Sequence, residues 1–328
     1  MAIYTKYRED MSVLAYEHRE DEENLVYNQV FPAVFMPMET GTYRELDERA
    51  YNLELEVDET KYTVAKTFSI GDSMHTYQIF PIARAFEFSN ADLAQARLYG
   101  KNGEQEMIAE MQGIISTLLK KVKEKAFYTA ITTDANFEGA TYYNNAATAW
   151  SSTGLADMKD DILAARLVVK GLREMVISDT SWIYAEANAT MNASTTVSGS
   201  ARDGGVNPNP VVAFLENYFG MRKVHVALGD LNDDSSDPTE TGNTEIWGDT
   251  ALLLKNSPSY ASSPRLGSWM KHLCWRPMGR GEASEGWIVL ETKSDEEGGV
   301  GMRKFATWNY YSMHIQEKSY AYRIDAIY

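Results

Sequence analysis

The sequence predicts an α+β fold, and three observations predict it. Leu53-Glu54-Leu55-Glu56-Val57 and Tyr62-Thr63-Val64-Ala65-Lys66 alternate with period two on either side of Asp58-Glu59-Thr60, the pattern of two half-buried strands joined by a turn. Between Glu104 and Ala130 apolar residues recur every three or four positions, the pattern of one long amphipathic helix. From about 155 to 262 helical and strand-like segments alternate, the order of a compact α/β unit.

Composition bounds the rest. A length of 328 residues exceeds an ordinary domain of about 100–200, so two domains or one elaborated one are expected. Hydrophobic residues at 44% and charged residues at 24% are globular proportions, enough to bury a core. The net charge of -16 argues against sequence-specific nucleic-acid recognition, because a basic groove would have to be built against that field. A single cysteine, Cys274, excludes an internal disulfide and a multi-cysteine zinc site, and it fits a reducing compartment. Charges run through MAIYTKYREDMSVLAYEHRE, unlike a signal peptide, and no window approaches 18 uncharged apolar residues, so neither export nor a membrane span is expected.

Residues 1–24 are charge-rich without a sustained period and read as an extended or partly helical arm. LVYNQVFPAVFMPM is apolar but carries Pro32 and Pro37, which remove donors and favour edge or extended geometry. The period-two hairpin, about 42–76, is marginal alone, so it packs on its own domain or reaches another subunit. Ser89 with Asp92 three residues on begins a helix running towards Gly100. The long helix follows, about 40 Å of it. Met107, Ile108, Met111, Ile114, Ile115, Leu118, Leu119, Val122 and Ala126 form its apolar stripe, leaving Glu104, Glu110, Lys120, Lys123 and Lys125 outward. Thr132 to Thr153 reads as loop, Asp157–Glu174 as a third helix, and Trp182-Ile183-Tyr184 as a strand. Next come a Gly/Asn/Pro loop, a helix over Val211–Phe219, a strand over Val224–Leu228 and an acidic loop over Asp230–Thr244. Ala251-Leu252-Leu253-Leu254, set between Trp247-Gly248-Asp249 and Lys255-Asn256-Ser257-Pro258, reads as a short strand buried on both faces. The aromatic tail, Trp287 to Tyr328, is strand-like and is expected to pair back near the long helix.

No segment carries a chemical signature. Asp230, Asn232 and Asp234 have the alternate spacing of a calcium loop, but Ser235 stands where glycine is needed and Thr241 where a bidentate glutamate is needed. The five histidines are scattered, without an i,i+4 pair, and are expected to be solvated or singly hydrogen-bonded. His225 lies on the opposite strand face from Val224 and Val226, with no nucleophile motif near it. Gly298-Gly299-Val300-Gly301 falls short of a dinucleotide fingerprint, and Cys274 reads as a small buried apolar residue. No catalytic residue, cofactor or metal is expected.

The order of the pieces resembles the major capsid proteins of tailed bacteriophages, the Hong Kong 97-type fold, over nearly everything from Val30 onward. VFPAVFMPMETGTYRE is similar to that family's entry into its extended loop, and Glu104–Ala130 to its long spine helix. MKDDILAARLVVKGL, SWIYAEANATMNA, NPVVAFLENYFGMRKVHVALGD and the Ile-Trp-Gly-Asp strand resemble successive parts of its axial domain. RKFATWNYYSMHIQEKSYAYRIDAIY is similar to its closing strands. The resemblance implies an arm over 1–30 and an extended loop over 31–80. It also implies a peripheral domain over 81–154 with 263–328, and an axial domain over 155–262. It implies, further, a virion shell subunit, assembled in the host cytoplasm into pentamers and hexamers around double-stranded DNA. Scaffold, portal and possible decoration proteins are its partners. No long scaffolding extension precedes the arm, which implies that scaffolding is supplied separately or already removed.

Arg44, Glu48, Arg49, Glu54, Glu56, Lys61, Tyr62 and Lys66 of the loop are the assembly-interface residues that this resemblance implies. Some relatives join a loop lysine to an asparagine; Lys61 and Lys66 lie in the right region, but no partner or assisting acid matches, so crosslinking is not carried over. Physics agrees with a shell. Exposed strand edges become interfaces when subunits close by heterologous contacts. Tyr and Trp suit interface cores, and an acidic wall repels packaged DNA rather than binding it. The other readings are a different self-assembling phage structural protein, an encapsulin-like shell, and an acidic α/β enzyme with a site around His225 and the acidic loop.

Overall fold

The computed structural model describes residues 2–7, 25–46, 72–98, 102–147, 149–150, 155–187, 220–227, 229–232, 243–255, 261–263, 265–275, 287–295 and 301–327. The strands are β1 Ala2–Tyr7, β2 Ala33–Met36, β3 Thr40–Leu46, β4 Asp72–Gln78, β5 Phe80–Ser89, β6 Tyr143–Asn145, β7 Glu174–Ser178, β8 Lys223–Ala227, β9 Asp230–Asn232, β10 Asn243–Glu245, β11 Ala251–Leu254, β12 Met270–Trp275, β13 Trp287–Asp295, β14 Met302–Ile315 and β15 Ala321–Asp325. The helices are α1 Tyr27–Val30, α2 Asn90–Leu98, α3 Gly103–Thr132, α4 Leu155–Val168 and α5 Asp179–Ala187.

A mixed five-stranded sheet has the order β6-β15-β11-β7-β8. Its middle strand is the apolar Ala251–Leu254 run, hydrogen-bonded on both sides and buried at all four residues. Alternation sends Ala251 and Leu253 into a core with Met158, Ile162 and Trp182, and Leu252 and Leu254 into a second core with Phe127, Trp247 and Trp269. A run without polar alternation is therefore what this position requires. Pro32 and Pro37 bracket β2, which takes the edge of the other large sheet beside β12.

That second sheet is organised on β14. Its first part pairs with β13 and β5, its last part with β12, and β1 lies outside β13. The 30-residue α3, about 45 Å long, packs Ile108, Ile115 and Leu119 against Phe86, Trp287 and Phe305 of this sheet, then Phe127 and Ile131 into the core beneath β11. The Ser89–Asp92 capping box is formed: the Asp92 N–H donates to Ser89 Oγ and the Ser89 N–H donates to Asp92 Oδ2, both at 3.1 Å. β9 pairs with β10 at the root of the acidic loop, and β3 pairs with β4 from Thr40–Gln78 to Leu46–Asp72.

Five local expectations change. Asp230–Asn232 and Asn243–Glu245, at the ends of the expected acidic loop, are strands because their backbones pair with each other. Trp182-Ile183-Tyr184 is helical, within α5, because Ser178 caps the helix through Oγ, which accepts the Ser181 N–H at 3.1 Å; the strand is the preceding Glu-Met-Val-Ile-Ser. The third helix stops at Val168 rather than Glu174, and the chain turns at Gly171 with φ +86°, a conformation that favours glycine. The stretch read as loop after Thr132 contributes β6, paired with β15. On α3, Lys120 and Lys123 are buried while Ile114 and Leu118 are exposed, the reverse of the expected facing. The five-stranded sheet also draws on both expected domains, since β6 and β15 come from the flanking segments and β7, β8 and β11 from 155–262.

Candidate assembly interface

The β3–β4 ribbon has two unlike faces, set by strand alternation. Tyr43, Glu45 and Tyr77 on one face are buried and His75 is half-buried, whereas Thr42, Arg44, Met74 and Thr76 on the other are exposed. Arg44 lies directly across from Met74, which is 64% exposed. Beside them Phe35, Met38, Thr42, Arg44 and Arg265 line a cleft of about 530 Å³. Apolar side chains rimmed by two guanidinium groups suit contact with an acidic chain, and this chain is acidic. Arg44 alone of the expected interface residues falls in the described structure; Glu48, Arg49, Glu54, Glu56, Lys61, Tyr62 and Lys66, with the expected strands 53–57 and 62–66, lie outside it.

The inner face of the ribbon ends in a polar nest. His75 Nε2 is 2.7 Å from Glu45 Oε2, the Tyr43 ring stacks on His75 at 5.5 Å, and His314 meets Tyr43 edge-on at 6.0 Å and His75 at 6.2 Å. Burial pushes the Glu45 carboxyl above the usual carboxylate range and the His314 imidazole below its ordinary value. Lys271 holds the adjoining turn, donating through Nζ to the carbonyls of Ser263 and Leu266, each at 2.7 Å, and burial lowers it to about 8.

Two helices also present apolar stripes: Ile114 with Leu118 on α3, and Leu163 with Leu167 on α4. Behind the α3 stripe lies a polar lock. Glu124 accepts the Tyr27 N–H at 2.9 Å through Oε2 and the Trp247 Nε1–H at 2.7 Å through Oε1, joining α1, α3 and the turn before β11. Burial pushes Glu124 up to about 7 against the donors that pull it down. Lys123 Nζ lies 5.2–5.7 Å from the ring centroids of Tyr27, Trp287 and Tyr311, and Thr307 donates its hydroxyl to Gln112 at 2.9 Å.

Two of the described histidines, His225 and His272, are more buried than expected. His225, facing Gln29 at 3.4 Å, is lowered to about 4 by burial, and the wholly buried His272 is lowered well below its ordinary value. Cys274 is buried, as its sequence context predicts, with Sγ 3.4 Å from His272 Nε2. Sequence periodicity could not have found Glu45, His75 and Glu317 as neighbours, because three distant segments supply them.

No family profile matches the sequence. No curated protein matches it either. Solved structures do match its fold, and these structural neighbours include phage capsid proteins. A phage-related protein from Bordetella bronchiseptica RB50 superposes with a TM-score of 0.64 at 12% identity, over 99% of this chain and 98% of its own. The virus-like particle from Pyrococcus furiosus gives 0.52 at 10% identity, over 97% and 98%. The capsid of Myoviridae phage XM1 gives 0.46 at 11% identity, over 92% and 91%. The α+β fold is thus shared, end to end, with phage-related and virus-like-particle proteins.

Proposed function

We propose that this chain is the major capsid subunit of a tailed bacteriophage head, of the Hong Kong 97 type, self-assembling into pentamers and hexamers around packaged double-stranded DNA. The observation that carries the reading is the fold shared over nearly the whole chain with the phage-related Bordetella protein. The ribbon supports it: β3–β4 is covered on one face only, and its outer face sets Arg44 and Met74 beside an apolar cleft. The expected hairpin supports it too, since the segment enclosed by the Leu46–Asp72 pair has Glu59 at its midpoint, the centre of the turn read from the sequence. In this reading the five-stranded sheet with α4 and α5 is the axial domain, α3 and the β14-centred sheet are the peripheral domain, and β3–β4 roots the extended loop. The net charge of -16 lets DNA pack against the wall without sequence-specific binding. Scaffold, portal and decoration proteins are the further partners, and the virion capsid is the location, with assembly in the host cytoplasm.

A second reading, a shell of the virus-like-particle or encapsulin kind enclosing something other than a phage genome, is favoured by the likeness to the Pyrococcus furiosus particle. Electron microscopy of the purified full chain tests both. Rings, sheets or closed shells are expected; dispersed monomers at every concentration would overturn both readings. Shells assembled with the phage's portal and packaging proteins that take up no DNA would overturn the first alone.

A further inference from the structure

We propose that Glu45, His75 and Glu317 form a binding site for a divalent metal ion of the zinc class, fastening the root of the β3–β4 ribbon to the segment that follows β14. Each residue offers one ligand atom, and the three atoms lie within 4.8 Å of one another. A tetrahedral ion with bonds of about 2.1 Å sets its ligands about 3.4 Å apart, so a small side-chain rotation closes the site.

An independent observation converges on the same place. Among the described residues, Tyr43 Oη and His314 Nε2 are buried polar atoms without a hydrogen-bond partner, and both belong to this nest. Such atoms are scarce in folded proteins because each has lost its water without replacement. Glu45 Oε2 and His75 Nε2 face each other across 2.7 Å. A cation held between the carboxylate and the imidazole lone pair satisfies both atoms at once, and Glu317 completes a three-ligand protein set with room for water.

The donor types select the ion. An imidazole nitrogen disfavours Mg²⁺ and Ca²⁺, which prefer all-oxygen shells, while two carboxylates disfavour the soft ions that prefer thiolate. The Lys271 ammonium nearby is engaged by the carbonyls of Ser263 and Leu266, and the His314 ring lies beside His75 as an outer neighbour. Any effect of the ion on assembly rests on the shell reading, but metal binding itself does not.

Calorimetric titration of the chelator-stripped full chain with Zn²⁺ tests the site. One tight site per chain is expected, together with a raised melting temperature. His75→Ala and Glu317→Gln should each weaken binding by more than about tenfold. Co²⁺ should give a visible absorption spectrum that the same substitutions abolish. The half-buried Glu317→Gln decides the matter should His75→Ala not fold, as judged by circular dichroism. Unchanged Zn²⁺ affinity in a folded variant, or equal binding of Mg²⁺, overturns the proposal. Shell formation is scored separately by microscopy, so loss of either result leaves the other standing.

Discussion

The central strand β11 and the ribbon β3–β4 are both short pieces of sheet, and they are completed in opposite ways. β11 has strands on both sides and apolar cores on both faces, so all that it needs lies within the chain. The ribbon has one buried face and one exposed face that carries Arg44 and Met74. A two-stranded ribbon is marginal alone. The difference separates residues that complete the fold from residues that the fold leaves exposed.

Substitutions and pH can break or sharpen that contrast. Leu253→Ala should have the largest effect on the folded chain itself, about 3–4 kcal/mol by denaturant unfolding, because it opens a cavity beside a wholly buried strand. An unchanged midpoint would remove β11 from the core.

The pH dependence should come next, at about 3 kcal/mol for a shift as large as that of Glu124. Glu124 and Glu174 are both pushed up to about 7 by burial. They bind protons more readily folded than unfolded, so their contribution to stability is fully present below about pH 4.5 and is lost as pH rises through about 7. Glu124→Gln should flatten part of this slope and leave the part due to Glu174; an identical pH profile would refute the protonated Glu124. Trp247→Phe, which removes one donor to Glu124, should cost about 1–2 kcal/mol, read as a lowered thermal midpoint. On the ribbon, Met74→Asp or Arg44→Glu should change monomer stability by less than about 0.5 kcal/mol, the usual size for an exposed site. Sedimentation should nonetheless show that assembly is lost, and normal shells from both variants would mean that this face meets no neighbour.

The strand Ala251–Leu254 was legible because a polar-free run between two turns has few places to go except the middle of a sheet. The capping box at Ser89 was legible because both of its partners are local. The facing of α3 was not. Its sequence offers two overlapping stripes, one through Ile114 and Leu118 and one through Ile115 and Leu119, and polar residues lie beside both. Partners far along the chain decide between them: Gln112 accepts the Thr307 hydroxyl, and aromatic rings of Tyr27, Trp287 and Tyr311 surround Lys123. The nest of Glu45, His75 and Glu317 escaped for the same reason, since only the folded ribbon brings residues 45 and 75 beside residue 317. Of the expected interface residues, Arg44 alone is described and is exposed, and its seven companions stand beyond the described structure.

The long helix has a mechanical consequence. α3 is one unbroken rod whose first half is clamped in the core under β14 and whose second half is clamped in the core under β11. Bending one sheet relative to the other must therefore break consecutive hydrogen bonds of the rod, instead of turning a flexible joint. Under load the chain should behave as a single stiff plate, yielding first along the ribbon and keeping its two sheets in a fixed relation.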